Sequence, residues 1–298
     1  MSAKQSEASR SLKFAKPYDG YGKDYLDDDV VKAVRTAISE RDTERQAERT
    51  ARADKLVRSG MVQVELLQPK LGLSKKAIAD SRADITRLAR EARYDAKPFD
   101  TTTLPQYRKR PYLTVAGSCV NRAPVYDWGN VTTWGAAIGS VNPPPGTPQN
   151  GNLGGTCNVG LAGNAGVTAR AGIFFSSQDH CGPLSVTSSF LTTGSIYVFG
   201  VGWGACLETI TLRTAIWGYT EGAWLADTGY DIANLFEWIG SGYASFERQP
   251  NSGFASCEVL QNRTYWIQAE TVISATVGGG AGCDCMINTA LTDIQACV

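Results

Sequence analysis

A boundary near residue 110 divides this chain into two stretches that cannot fold by the same rules. Residues 1–110 carry 41 of the 58 charged side chains, four of the 31 glycines, and neither cysteine nor tryptophan. Residues 111–298 carry all eight cysteines, all seven tryptophans and 27 glycines, with 17 charges in 188 residues. The first stretch has too little apolar surface to close a core of its own. The second is long enough to bury one without metal or disulfide support. Charge divides at the same place: 24 basic and 17 acidic groups give +7 before the boundary, and 5 basic against 12 acidic give −7 after it. Opposite signs raise the option of contact between the two parts, within a subunit or between subunits, but solvated charge is the usual case and two separately solvated surfaces are the favoured reading.

Residues 1–26 read as an extended or disordered leader, with Tyr18, Tyr21 and Tyr25 set among glycines and charges. Residues 27–94 read as a charged helical arm. Asp27, Asp28 and Asp29 supply negative charge at a helix N-terminus, and Val30, Val34, Ala37 and Ile38 follow at helical spacing. Beyond Glu40 the apolar face is lost, so this helix bridges solvent, packs on other charged helices, or is only marginally formed. Ser74 can cap a second helix, whose Ile78, Ile85 and Leu88 form one narrow heptad-like stripe. Val30, Val34, Ile78, Ile85 and Leu88 are the candidate assembly residues, and they predict a homo-oligomer such as a trimer. Acids interleave the basic residues throughout, which argues against nucleic acid as the partner. Residues 95–110 read as a linker broken by Pro98 and Pro105.

From Pro111 the pattern becomes short apolar runs bounded by glycine, proline and asparagine. In Thr209–Trp217, Ile210, Leu212 and Ile216 fall on one face and Arg213 and Trp217 on the other. About nine such runs predict an antiparallel β-sandwich of the jelly-roll type over residues 111–298, behind the helical arm. One short helix is expected near 232–239, and a long Pro/Gly loop over 139–166, with Pro143, Pro144 and Pro145 in succession.

The chain shows no nucleophile elbow, phosphate loop or paired zinc-ligand spacing, and His180 is its single histidine. No cofactor, metal site or enzymatic activity is therefore expected. Cys119, Cys157, Cys181, Cys206, Cys257, Cys283, Cys285 and Cys297 are disulfide candidates, with buried free thiols as the competing state. The start of the chain lacks the apolar core of a secretory signal, and no run is long enough to span a membrane. Paired cysteines without such a signal point to an extracellular or particle-associated protein.

The composition around Trp217, Tyr219, Trp224, Asp227, Tyr230, Asp231 and Trp238 suits either a ligand-contact face or a core, since aromatic rings serve both. The whole pattern predicts a structural component of a larger assembly, such as a virion, tail fibre, spike or decoration protein. Its arm would anchor to other copies and components, and its β head would make surface contacts. The alternatives are a lectin-like module that takes a glycan, and an exported effector.

Overall fold

The computed structural model of the chain describes residues 113–114, 119–135, 138–160, 163–177, 181–200, 204–218, 221–237 and 240–298. In the arm it describes 36–45 and 47–48, plus single positions at 32, 51, 55, 74, 76 and 80. The head is a sandwich of two six-stranded sheets, and the described arm is helical.

Twelve strands are formed among the described residues. They are β1 (Leu113–Thr114), β2 (Cys119–Arg122), β3 (Trp128–Gly135), β4 (Ile138–Asn142), β5 (Gly155–Gly160) and β6 (Gly163–Ser176). β7 (Gly182–Gly200), β8 (Ala205–Gly218), β9 (Ala223–Glu237), β10 (Gly240–Val259), β11 (Thr264–Gly278) and β12 (Gly282–Cys297) follow. Sheet A has the order β1-β6-β11-β8-β9, with β3 also on β6. Sheet B has the order β10-β7-β12-β5-β4, with β2 also on β12. From β5 onward consecutive strands alternate between the two sheets, apart from the neighbouring pair β8 and β9 in sheet A. The resulting quartets β6-β11-β8-β9 and β10-β7-β12-β5 are the jelly-roll arrangement.

The core lies between the sheets. Small residues of sheet A (Ala169, Ala171, Ala269) pack in one cluster with Leu184, Phe190 and Leu291 of sheet B. The alternation expected for 209–217 holds, with Ile210, Leu212 and Ile216 inside. Strand β11 departs from simple alternation because it is buried on both faces. Its outward side chains, including Gln268 and Glu270, therefore lie under a third layer.

Two local expectations are corrected. The helix expected near 232–239 is not formed over 232–237, the part among the described residues: Ile232, Leu235 and Phe236 have helical spacing, but 223–237 is strand β9, paired along the open edge of β8 from Cys206↔Glu237 to Gly218↔Ala223. Bulges on this ladder disturb the period of two that would have marked it as a strand. The segment 139–166 is not one long loop either. It holds the end of β4, a 3-10 helix at Pro148–Asn150, all of β5 and the start of β6. The prolines occupy only the connection, where Asn152 Nδ2 donates to the Pro145 carbonyl. Strand β7 is unbroken from Gly182 to Gly200 and continues through Gly194 at φ 136°.

Candidate functional site

Direct register places one row of side chains on the outer face of sheet A: Asn130, Arg170, Glu270 and Arg213, ending at Gly229. Two residues along, Trp128, Gln268 and Asp227 share that face, and beyond them stand Trp266, Trp217 and Trp224. The Trp128 and Trp266 rings meet edge-on at 4.4 Å between centroids, and Trp224 tilts against Trp266 at 5.4 Å. Glycine makes room for this layer. A Cβ on Gly172 would sit 2.5 Å from Trp128 Nε1, and one on Gly166 would sit 2.8 Å from Trp134 Cη2. Gly172→Ala is therefore expected to lift Trp128 off the sheet and cost about 1–3 kcal/mol, read as a lowered urea midpoint. An unchanged midpoint would mean that both the ring and the neighbouring β11 backbone at the Ile267 carbonyl, which the same Cβ would meet, give way freely.

The helical residues 36–45 and 47–48, here α1, form the third layer. Ile38, Arg41, Asp42 and Arg45 have the i, i+3, i+4, i+7 spacing of one helix face. Ile38 is buried. The Arg41 guanidinium lies 4.3 Å from the centroid of Trp224 and ion-pairs with Asp227. Arg45 Nη1 donates to Glu270 Oε1 at 2.5 Å, and Arg170 Nη2 donates to Asp42 at 2.5 Å. Arg170 Nε closes the ring on Glu270 Oε2 at 2.7 Å. Gln268 Nε2 donates to the same oxygen at 2.9 Å. Burial pushes the Glu270 carboxyl up, but Arg45, Arg170 and Arg213 together outweigh it and hold it down at about 2. Burial, then Arg45, lowers Arg41 to about 10.

The sequence-predicted aromatic cluster divides in this geometry. Trp217 is 1% exposed and offers no ring to a ligand. Trp224 is half-buried under Arg41. Asp227 is ion-paired to Arg41 and lies 3.7 Å from Arg213, while Asp231 accepts from Thr211 Oγ1 at 2.6 Å. Tyr230 is exposed at the β9 edge. Tyr219, Trp238 and His180 lie outside the described residues, as do the assembly candidates Val30, Val34, Ile78, Ile85 and Leu88. Of the cysteines, Cys119 and Cys297 form a disulfide, while Cys157, Cys181, Cys206, Cys257, Cys283 and Cys285 are thiols.

Sheet B carries the open face. Tyr243, Tyr197, Asp284, Asn158 and Ser140 stand directly opposite one another on β10, β7, β12, β5 and β4. At about 4.8 Å per strand this row is roughly 19 Å long. Tyr243 is 65% exposed and Tyr197 43%. Phe199 extends the aromatic end, with its ring centroid 5.9 Å from that of Tyr197. Gly282 beneath it has no side chain to block it, since a Cβ there would meet Phe199 Cε1 at 2.8 Å. With its amide turned to suit, Asn158 donates to Asp284 Oδ1 at 2.7 Å. Exposed Met286 and Asn142 flank the row on the neighbouring register positions. Nothing in the sequence brought Tyr197 and Tyr243 together, because only the β7–β10 ladder joins them.

The chain matches no known protein family, and no curated protein resembles it in sequence. Among solved structures, it is similar to the C-terminal CBM6 of LamC, a marine laminarinase from Zobellia galactanivorans, with a TM-score of 0.21 at 10% identity over 60% of this chain and 99% of that one. It is similar to an isomalto-dextranase of Arthrobacter globiformis T6 complexed with panose, with a TM-score of 0.20 at 10% identity over 63% of this chain and 24% of that one. A third, TmCBM61 in complex with β-1,4-galactotriose, gives a TM-score of 0.17 at 8% identity over 46% of this chain and 70% of that one. Likenesses this distant assign the chain to none of these proteins.

Proposed function

We propose that the chain is a non-enzymatic binding module whose head contacts carbohydrate through the outer face of sheet B, while α1 holds the arm on the opposite face. The row Tyr243, Tyr197, Asp284, Asn158 carries this reading. Exposed aromatic rings offer flat apolar area to the C–H face of a sugar. The carboxylate and amide oxygens beside them offer acceptors to its hydroxyls, the amide N–H groups being taken by Asp284 and the Cys157 carbonyl. A protein partner would favour a broader apolar patch with its charges at the rim, whereas Asp284 lies at the centre of this row. The two carboxyls with shifted pKa, Glu208 and Glu270, are fully buried, so neither reaches a substrate.

A glycan array followed by calorimetry on the best ligand tests the proposal. The Tyr197→Ala/Tyr243→Ala double variant is expected to lose affinity by about tenfold to a hundredfold, from roughly 0.5–1.5 kcal/mol per ring. A folded double variant that binds as the parent does would refute it.

A second reading rests on α1. A charged arm locked to the head by buried ion pairs suits a component anchored in an assembly, with the rest of the arm left for other copies or components. Light scattering on the full chain would then give a defined oligomer, and a monomer at all concentrations would remove this reading.

A further inference from the structure

A second group of reactive side chains lies inside the sandwich, apart from both outer faces. Cys206 and Glu208 project inward from β8, and Cys157, Cys283 and Cys285 project inward from β5 and β12. Glu208 is 0% exposed, and neither carboxyl oxygen has a hydrogen bond of good geometry among the described residues. No group of three described histidine, cysteine, aspartate or glutamate side chains is arranged to hold a metal ion. The four thiols instead fall into two couples. Cys157 and Cys285 are directly opposite in the β5–β12 ladder. Cys119 and Cys297 have that same relation in the β2–β12 ladder and are bonded, with Cα atoms 4.0 Å apart. Cys206 of β8 and Cys283 of β12 lie in one buried cluster between the two sheets, where the Cys283 thiol donates to the Cys157 carbonyl at 3.8 Å.

We propose that this core closes two further disulfides, Cys157–Cys285 within sheet B and Cys206–Cys283 between the sheets, when the chain folds with a low-molecular-weight disulfide as oxidant. For each bond, one cysteine thiolate attacks a sulfur of the oxidant and expels a small thiolate, which takes up a proton. The partner cysteine then loses its proton, attacks the mixed disulfide and expels the second small thiolate, which is protonated in turn. The chain loses two hydrogens and the oxidant gains them as two thiols. The step belongs to folding. Once the sheets meet, the core is closed to the oxidant, and burial keeps the Cys157 and Cys285 thiols protonated. Cross-strand bonding at 157–285 ties neighbours already in register. The 206–283 bond ties sheet A to sheet B and fixes the sandwich at its centre.

The test uses the full chain, folded with mixed reduced and oxidised glutathione, quenched in acid and alkylated in denaturant. Alkylation is expected at Cys181 and Cys257 only. Cleavage before Asp284 separates Cys283 from Cys285, so peptide mapping should show Cys157 joined to Cys285 and Cys206 joined to Cys283. Alkylation of all four core cysteines overturns the proposal, and so does any other pairing among them. A Cys206→Ala variant is expected to keep the 157–285 bond and expose Cys283 to alkylation. Loss of both bonds in that variant would also overturn the proposal.

Discussion

Replacing Glu208 with glutamine is expected to stabilise the head at pH 8 by about 4 kcal/mol relative to the parent, and to change little at pH 4.5. Burial raises the Glu208 carboxyl to about 8, and the Cys283 and Cys285 thiols offset this only in part. In the unfolded chain the same group releases its proton near its ordinary value of 4.5. Between these values the folded chain holds a proton that the unfolded chain has lost. Stability is therefore complete below 4.5 and falls as pH rises through about 8, at about 1.4 kcal/mol per pH unit. Glutamine has no proton to release, so its buried amide carries a pH-independent cost and the slope disappears. Urea midpoints of parent and Glu208→Gln under reducing conditions, taken from pH 4.5 to 8, measure the effect. Parallel curves would show that the carboxyl finds a partner or water on ionising.

What the sequence made legible followed from local pattern. Alternation marked the strands around Ile210, Leu212 and Ile216, and the turn-rich spacing marked the jelly roll. Glycine spacing in β6 was visible as composition, but its purpose, a floor for Trp128 and Trp134, required the β3–β6 register. The docking face of α1 was hidden for a different reason. Ile38, Arg41, Asp42 and Arg45 do keep helical periodicity, but three of the four are charged, and a search for apolar stripes passes over them. Their partners Arg170, Arg213, Asp227 and Glu270 are spread over 101 residues and the four strands β6, β8, β9 and β11. The same long-range pairing hid the open row on sheet B. The aromatic cluster at 217–243 was dense in sequence, yet β8, β9 and β10 distribute it over both sheets and the edge between them.

The buried ring that joins α1 to sheet A gives the second large effect. Glu270→Gln is expected to cost about 3–5 kcal/mol, because it removes the buried carboxylate that Arg170 and Arg45 share and leaves the fully buried Arg170 with Asp42 alone, a partner at the edge of the site. Among the described residues Arg45 then keeps Asp227, at 3.6 Å. The arm should then leave the face, so that trypsin cuts at Arg41 and Arg45 and the emission of Trp224 and Trp266 shifts to the red. The double variant Arg170→Met/Glu270→Leu separates a charge effect from simple packing. Removing both buried charges should cost less than removing one, since the ions that then lose a partner, Asp42 and Arg45, are nearer to solvent than Arg170 and Glu270. Equal or greater cost in the double variant would mean that the ring acts through shape alone. Acid gives an independent check. Glu270 titrates at about 2 in the folded chain, so its contribution is complete above 4.5 and is lost as pH falls through about 2. Glu208 and Glu270 thus load the same fold from opposite sides. Arm release on acidification, present in the parent and absent from a Glu270→Gln chain already released at neutral pH, would assign the acid arm of the stability curve to this one carboxylate.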